Sequence, residues 1–278
     1  MAVLLAVLIL QAAAATAVLA HTGSSGASGS TETVQPRTVP LGGGRTAQLI
    51  SLGGASTDAL LQRVAAELGA SVEAIDRFWG ADWSTGAGND IVVVAAGSEG
   101  QFVAEARLDP QRQWQDIAAV TVADEVDPSR RSATGQRMVL APGAAEMSDE
   151  ALRIVLRHEL FHLAARGDTA VDAPRWLTEG VADFAARPAE PLPPDAAAVT
   201  DLPTDAALDE AGPARARGYD RAWWFARFVA DTYGVDALRR LYLLACGPDH
   251  PDLTAAVRGA LGIEMSELQG AWVGWLGR

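Results

Sequence analysis

The stretch Arg157-His158-Glu159-Leu160-Phe161-His162-Leu163 decides how the rest of the chain is read. Its histidines are four residues apart, so on a helix both imidazoles project from one face and can grip a single metal ion. Glu159 follows His158 by about 100° round the helix, close enough to reach a water on that metal without being a ligand itself. Two imidazole nitrogens plus a carboxylate oxygen suit Zn²⁺, with water in the fourth position. The metal lowers the pKa of that water and a neighbouring carboxylate takes its proton, which supplies a hydroxide nucleophile at neutral pH. The alternative is a pair of core histidines bonded to backbone. Against it, the chain has only four histidines (His21, His158, His162 and His250), and two of them fall in this frame. The surrounding helix is apolar on most sides, with Leu152, Leu156, Leu160 and Leu163 on the flank opposite the histidines and only Arg153 and Arg157 marking a solvent stripe. Imidazoles deep in such a helix need a partner to offset their desolvation.

A second helix follows in Asp172-Ala173-Pro174-Arg175-Trp176-Leu177-Thr178-Glu179-Gly180-Val181-Ala182-Asp183-Phe184, with Asp172 as the expected N-cap and an early proline. Glu179 and Asp183 are four apart on one face. The words W-L-T-E-G-V-A-D-F resemble the W-L-x-E-G-x-A segment of the peptidase-MA-like proteins and zinc aminopeptidases, within the gluzincin metallopeptidases. The resemblance implies that Glu179 is the third metal ligand. It also implies that Asp183 stands behind a ligand histidine, where it fixes the tautomer. Sixteen residues separate His162 from Glu179, so the intervening loop must be tight. Asp168 is a competing ligand at the position where metzincins place theirs. That geometry needs a sharp turn at Ala165, where a glycine would turn without strain, and the glycine here is displaced to Gly167. Glu179 is therefore preferred.

All 22 basic residues are arginine, which excludes Schiff-base lysine chemistry and a lysine-bearing phosphate loop. A net charge of -13 argues against a nucleic-acid partner, because phosphate binding needs clustered positive charge. Residues 2–20 form an apolar run that reads as a signal peptide or a membrane anchor, so the chain is expected to be exported, extracellular or tethered facing outside. Residues 22–44 are expected to be a flexible tether. The single Cys246 forms no intrachain disulfide.

From residue 45 to 147 strand and helix patterns alternate. Strands are expected at Thr46–Leu52, Asp90–Ala95, Ile117–Val122 and Gln136–Ala141, with a long amphipathic helix over Thr57–Phe78 and a short one over Gln101–Arg107. Met138-Val139-Leu140-Ala141 is the candidate edge strand to pair with extended substrate, an interior strand being the alternative. Ser148 is placed to cap the metal helix. The Pro/Ala/Asp-rich segment from Ala185 to about Asp209 reads as a surface connection, with a segment over the cleft as the alternative. Residues 148–278 are otherwise helical, and Trp223, Phe225, Phe228, Tyr242, Trp272 and Trp275 are expected to form their core. Gly218-Tyr219-Asp220-Arg221-Ala222-Trp223-Trp224-Phe225 also resembles the peptidase-MA-like proteins. Gluzincins add a tyrosine or histidine that donates a hydrogen bond to the tetrahedral oxyanion. Among Tyr219, Tyr233, Tyr242 and His250 the resemblance favours Tyr219, expected at a helix start after Gly218, while Tyr233 and Tyr242 are expected to be structural.

The expected fold is α+β and zincin-like, a small mixed-sheet subdomain (45–147) followed by a mainly helical one (148–278) with the metal site between them. The expected activity is zinc-dependent peptide hydrolysis, with Glu159 as general base. The alternatives are a catalytically inactive zinc-site scaffold and a membrane-anchored interaction protein without metal.

Overall fold

The computed structural model describes residues 36–83, 90–111, 114 and 116–278. The expected signal or anchor (2–20), and most of the expected tether, lie outside the described residues. Among the described residues no helix is long and apolar enough to cross a membrane.

The sheet has five strands in the order β1-β2-β3-β7-β4. These are β1 (Arg37–Gly42), β2 (Arg45–Ser51), β3 (Asp90–Ala95), β4 (Ala119–Val122) and β7 (Arg137–Leu140). β5 (Glu125–Asp127) and β6 (Ser132–Thr134) form a separate hairpin. β2, β3 and β7 run parallel, while β1 and β4 pair antiparallel at the two edges. The β-branched run of β3 is almost wholly buried, as a central parallel strand requires.

Two expectations need correction. The expected tether extends to residue 44, yet Arg37–Gly42 is a strand on β2. Only Val39 and Leu41 of β1 turn toward the core, and Pro40 and the following glycines hide that short alternation in the sequence. The candidate edge strand at 138–141 is interior, lying between β3 and β4. A continuous apolar run buried on both faces fits that interior position. The edge nearest the site is β4.

Helix α1 (Ala55–Trp79) buries Leu60, Leu61, Val64, Leu68, Val72 and Ile75, the stripe its periodicity predicts. Short α2 (Glu99–Glu105) is capped by Ser98. Helix α3 (Asp149–Ala165) carries the histidines and is capped by Ser148, whose side chain accepts from the Ala151 N–H. It packs against α1 and β4, and Leu152, Leu156, Leu160 and Leu163 are all buried. The expected solvent stripe is partly covered by α1, since Arg153 pairs with Glu67 at 2.8 Å.

Helix α4 (Arg175–Ala186) lies between α3 and α6 (Pro213–Tyr233). Asp172 is not its cap: the helix starts after Pro174, and the Trp176 N–H is met by Asp205 Oδ1 at 2.8 Å, from short α5 (Asp205–Leu208). α4 and α6 approach so closely that a Cβ on Gly180 would lie 2.3 Å from the Ala222 carbonyl oxygen. α7 (Val235–Cys246), α8 (Leu253–Leu261) and α9 (Met265–Leu276) complete the helical part. Its centre is aromatic, with Trp176, Phe228 and Trp272 arranged round Phe225 at centroid distances of 5.0, 5.8 and 5.8 Å. Such pairs add about 0.5–1.5 kcal/mol each beyond their burial. The segment after α4 is a surface connection strapped to α6: Arg221 donates to the Val199 and Asp201 carbonyls and Arg217 pairs with Asp195.

Candidate metal centre

The fold is mixed α+β, and a buried cluster able to hold a metal ion lies between its sheet and helical parts. His158 and His162 come from consecutive turns of α3 and Glu179 from α4. The two Nε2 atoms stand 2.9 Å apart, and Glu179 places Oε2 3.3 Å from His158 Nε2 and Oε1 3.6 Å from His162 Nε2. Tetrahedral ligands about 2.05 Å from a zinc ion are separated by about 3.3 Å, so the donor set suits a small divalent cation after slight expansion.

Asp183, one turn beyond Glu179, holds His158 Nδ1 at 2.8 Å from its Oδ1. With Nδ1 engaged by a carboxylate, Nε2 is the nitrogen presented to the cluster. Without metal the site favours a proton. Burial by itself would lower the His158 pKa, but Asp183 and Glu179 outweigh it and raise it from 6.5 to about 10. Burial would raise Glu179, yet His162 and His158 bring it down from 4.5 to about 2.

Asp168, the competing ligand, is outside the cluster. α3 continues helical through Ala165 and a 3₁₀ turn carries Arg166–Asp168 away, so that Asp168 pairs with Arg131 near the β5–β6 hairpin. Gly167 sits against that hairpin, where a Cβ would meet the Arg131 carbonyl oxygen at 2.7 Å. The displaced glycine therefore serves a close backbone approach.

Glu159 is fully buried beside the cluster. Its Oε2 accepts from the Thr121 hydroxyl at 2.5 Å, while its Oε1 is buried with no hydrogen-bond partner. Burial pushes its pKa up against the pull of His158, His162 and the Thr121 hydroxyl. Tyr219 is buried in α6 and lies near enough for Glu179, after burial, to raise its phenol further. It stands nearly two turns inside the helix, which starts at Pro213, and not at the helix start expected from Gly218. Tyr242 is a core residue bonded to Thr169 at 2.8 Å, and Tyr233 lies at the end of α6, as expected for structural positions. His250 pairs with Asp172 at 3.5 Å, remote in role from the cluster.

Four neighbours of the site have no signal in the H-E-x-x-H pattern. Thr121 reaches Glu159 only because β4 folds against α3. Arg166 donates from Nη2 to the Thr121 carbonyl at 2.9 Å. Arg187 touches Asp183 and Asp220 on adjacent helices. Arg166 and Arg187 each follow a site residue by four on a helical path, a spacing visible in the sequence. Thr121 and Asp220 are brought in by the fold alone.

No protein-family model matches the chain, and no curated protein is significantly similar to it.

Proposed function

We propose that this chain is a zinc-dependent, gluzincin-like peptide hydrolase. The observation that carries the reading is the convergence of His158, His162 and Glu179 with a second, non-ligating carboxylate, Glu159, beside them. When bound, a zinc ion lowers the pKa of a water and polarises a substrate carbonyl. Asp183 keeps the His158 ring oriented, and Glu179 completes the charge of the donor set. Glu159 accepts the proton of the attacking water on Oε1, the oxygen that Thr121 leaves open, and passes it to the departing amine. Tyr219, neutral because its pKa lies above the usual phenol value, donates a hydrogen bond to the negative charge that develops on the carbonyl oxygen. Export or anchoring through residues 2–20 belongs to the same proposal and would put the substrate, a peptide or protein, outside the cell membrane.

A second reading, a zinc-site scaffold without turnover, draws support from one feature. Glu159 and the three ligand candidates are at most 2% exposed, so substrate needs an opening of the site. Metal content together with cleavage of a peptide library, with and without chelator, separates the two readings. Stoichiometric zinc with chelator-sensitive cleavage is the expected result. Zinc without cleavage would favour the scaffold, and no bound metal would end both.

A further inference from the structure

We propose that Arg187 is a positioning residue for the metal centre, acting through Asp183 on His158; this rests on the metal-site reading above. Asp183 spends one carboxylate oxygen on the His158 ring, at 2.8 Å. A carboxylate held by one oxygen can still rotate about its last torsion. The other oxygen, Oδ2, lies 3.4 Å from Arg187 Nη1, and the same nitrogen is 3.1 Å from Asp220 Oδ1 on α6. The guanidinium is itself clamped, with its Cζ 3.6 Å over the Trp223 ring. One cation thus stands between two carboxylates in a partly buried seam. Without it, Asp183 and Asp220 would repel each other or share a proton, and Asp183 would lose the orientation that keeps Nδ1–H in place. A planar, stacked guanidinium fits this task better than a flexible ammonium.

The path runs from Trp223 through Arg187 and Asp183 to His158, with Asp220 as the second brace. Arg187 contacts Asp183, Asp220 and Trp223, so an effect on His158 carried by this path must vanish when Asp183 can no longer transmit it. This distinguishes positioning from general support of the α4–α6 packing.

Two measurements on the full chain test the idea. In metal-free protein, histidine side-chain NMR should show a protected His158 Nδ1–H that is lost in D183N. R187M should speed its exchange at least 10-fold, and R187K should restore most of the protection. Zn²⁺ affinity, read by competition with a chromophoric chelator, should fall on the order of 10-fold in R187M and in D183N. The R187M/D183N double variant should bind no more weakly than D183N. Wild-type protection of the proton in R187M, or an equal further loss of affinity in the D183N background, would overturn the proposal. If R187M does not fold, D220N takes its place: it removes one brace of the guanidinium and should speed Nδ1–H exchange, and unchanged exchange would overturn the proposal equally. A protected, Arg187-dependent proton in a protein that takes up no Zn²⁺ would sink the metal reading, and with it the metal-centre role of Arg187, and leave only its hold on His158 through Asp183.

Discussion

The Thr121 hydroxyl and the Glu159 carboxylate are 2.5 Å apart, which ties the edge strand β4 to the residue between the two histidine-bearing turns. The bond occupies Oε2 and leaves Oε1 as the oxygen with capacity to accept a proton. Glu159→Gln keeps size and hydrogen bonding but cannot take that proton, so turnover should collapse while zinc stays bound. Thr121→Val should lower kcat by about 10-fold with unchanged zinc content, in keeping with the loss of one buried hydrogen bond. Full activity in metal-replete Glu159→Gln would mean that another group activates the water.

Metal occupancy should discriminate between the two carboxylates that follow α3. Glu179→Ala should lose zinc strongly, as measured by metal analysis after dialysis. Asp168→Ala should retain it near the wild-type level, since Asp168 serves Arg131 instead. The reverse outcome would put Asp168 in the site.

The metal-free protein should have a distinctive pH dependence. The His158 pKa is raised from 6.5 to about 10, so its stabilisation is complete below about 6.5 and is lost as pH climbs through about 10. Glu179 is depressed from 4.5 to about 2, so its contribution is present above about 4.5 and is lost as pH falls through about 2. Both describe one ion-paired cluster and are not summed. Thermal melts of chelator-treated protein should therefore peak between about pH 4.5 and 6.5 and decline toward pH 10. Zinc competes with the proton on His158, so its affinity should rise over the same alkaline range. A Tm independent of pH from 6.5 to 10 would show that the imidazole is not held charged.

Tyr219→Phe removes one buried hydroxyl beside Glu179. On the proposed role kcat should drop on the order of 10²-fold, with little change in zinc content or melting temperature. A loss of stability with intact kcat would make Tyr219 a packing residue.

Gly180→Ala tests how α4 is seated. The added methyl meets the Ala222 carbonyl at 2.3 Å, so the helices must separate, at a cost of about 1–3 kcal/mol. Because Glu179 is adjacent, calorimetry should report destabilisation together with weaker zinc binding.

Much of this architecture was legible because local patterns carried it. The α1 stripe, the β-branched run of β3 and the Ser148 cap each follow from neighbouring residues alone. The i,i+4 spacings placed His158 with His162 and Glu179 with Asp183, and the second helix supplied the carboxylates. What sequence reading missed depends on long-range pairing. β1 is recognisable only once β2 offers it a partner, and the order β3-β7-β4 makes 138–141 interior through contacts that no window contains. The α4 N-terminus is met by Asp205, far along the chain, so the expected local cap at Asp172 was never required. Thr121 belongs to the same class, a residue whose importance arises from the strand it sits on.

The arginine that ends α3 has a bearing on solubility. Ala141 donates to the Ala118 carbonyl, and the alternating antiparallel ladder therefore turns the Thr121 carbonyl away from β7, toward the open side of β4. Arg166 fills that acceptor. A strand edge already engaged by the chain's own guanidinium, with a charge standing over it, is a poor template for the matching strand of a second copy. The same bond that borders the candidate metal centre thus makes this edge of the sheet a poor place for another strand to add.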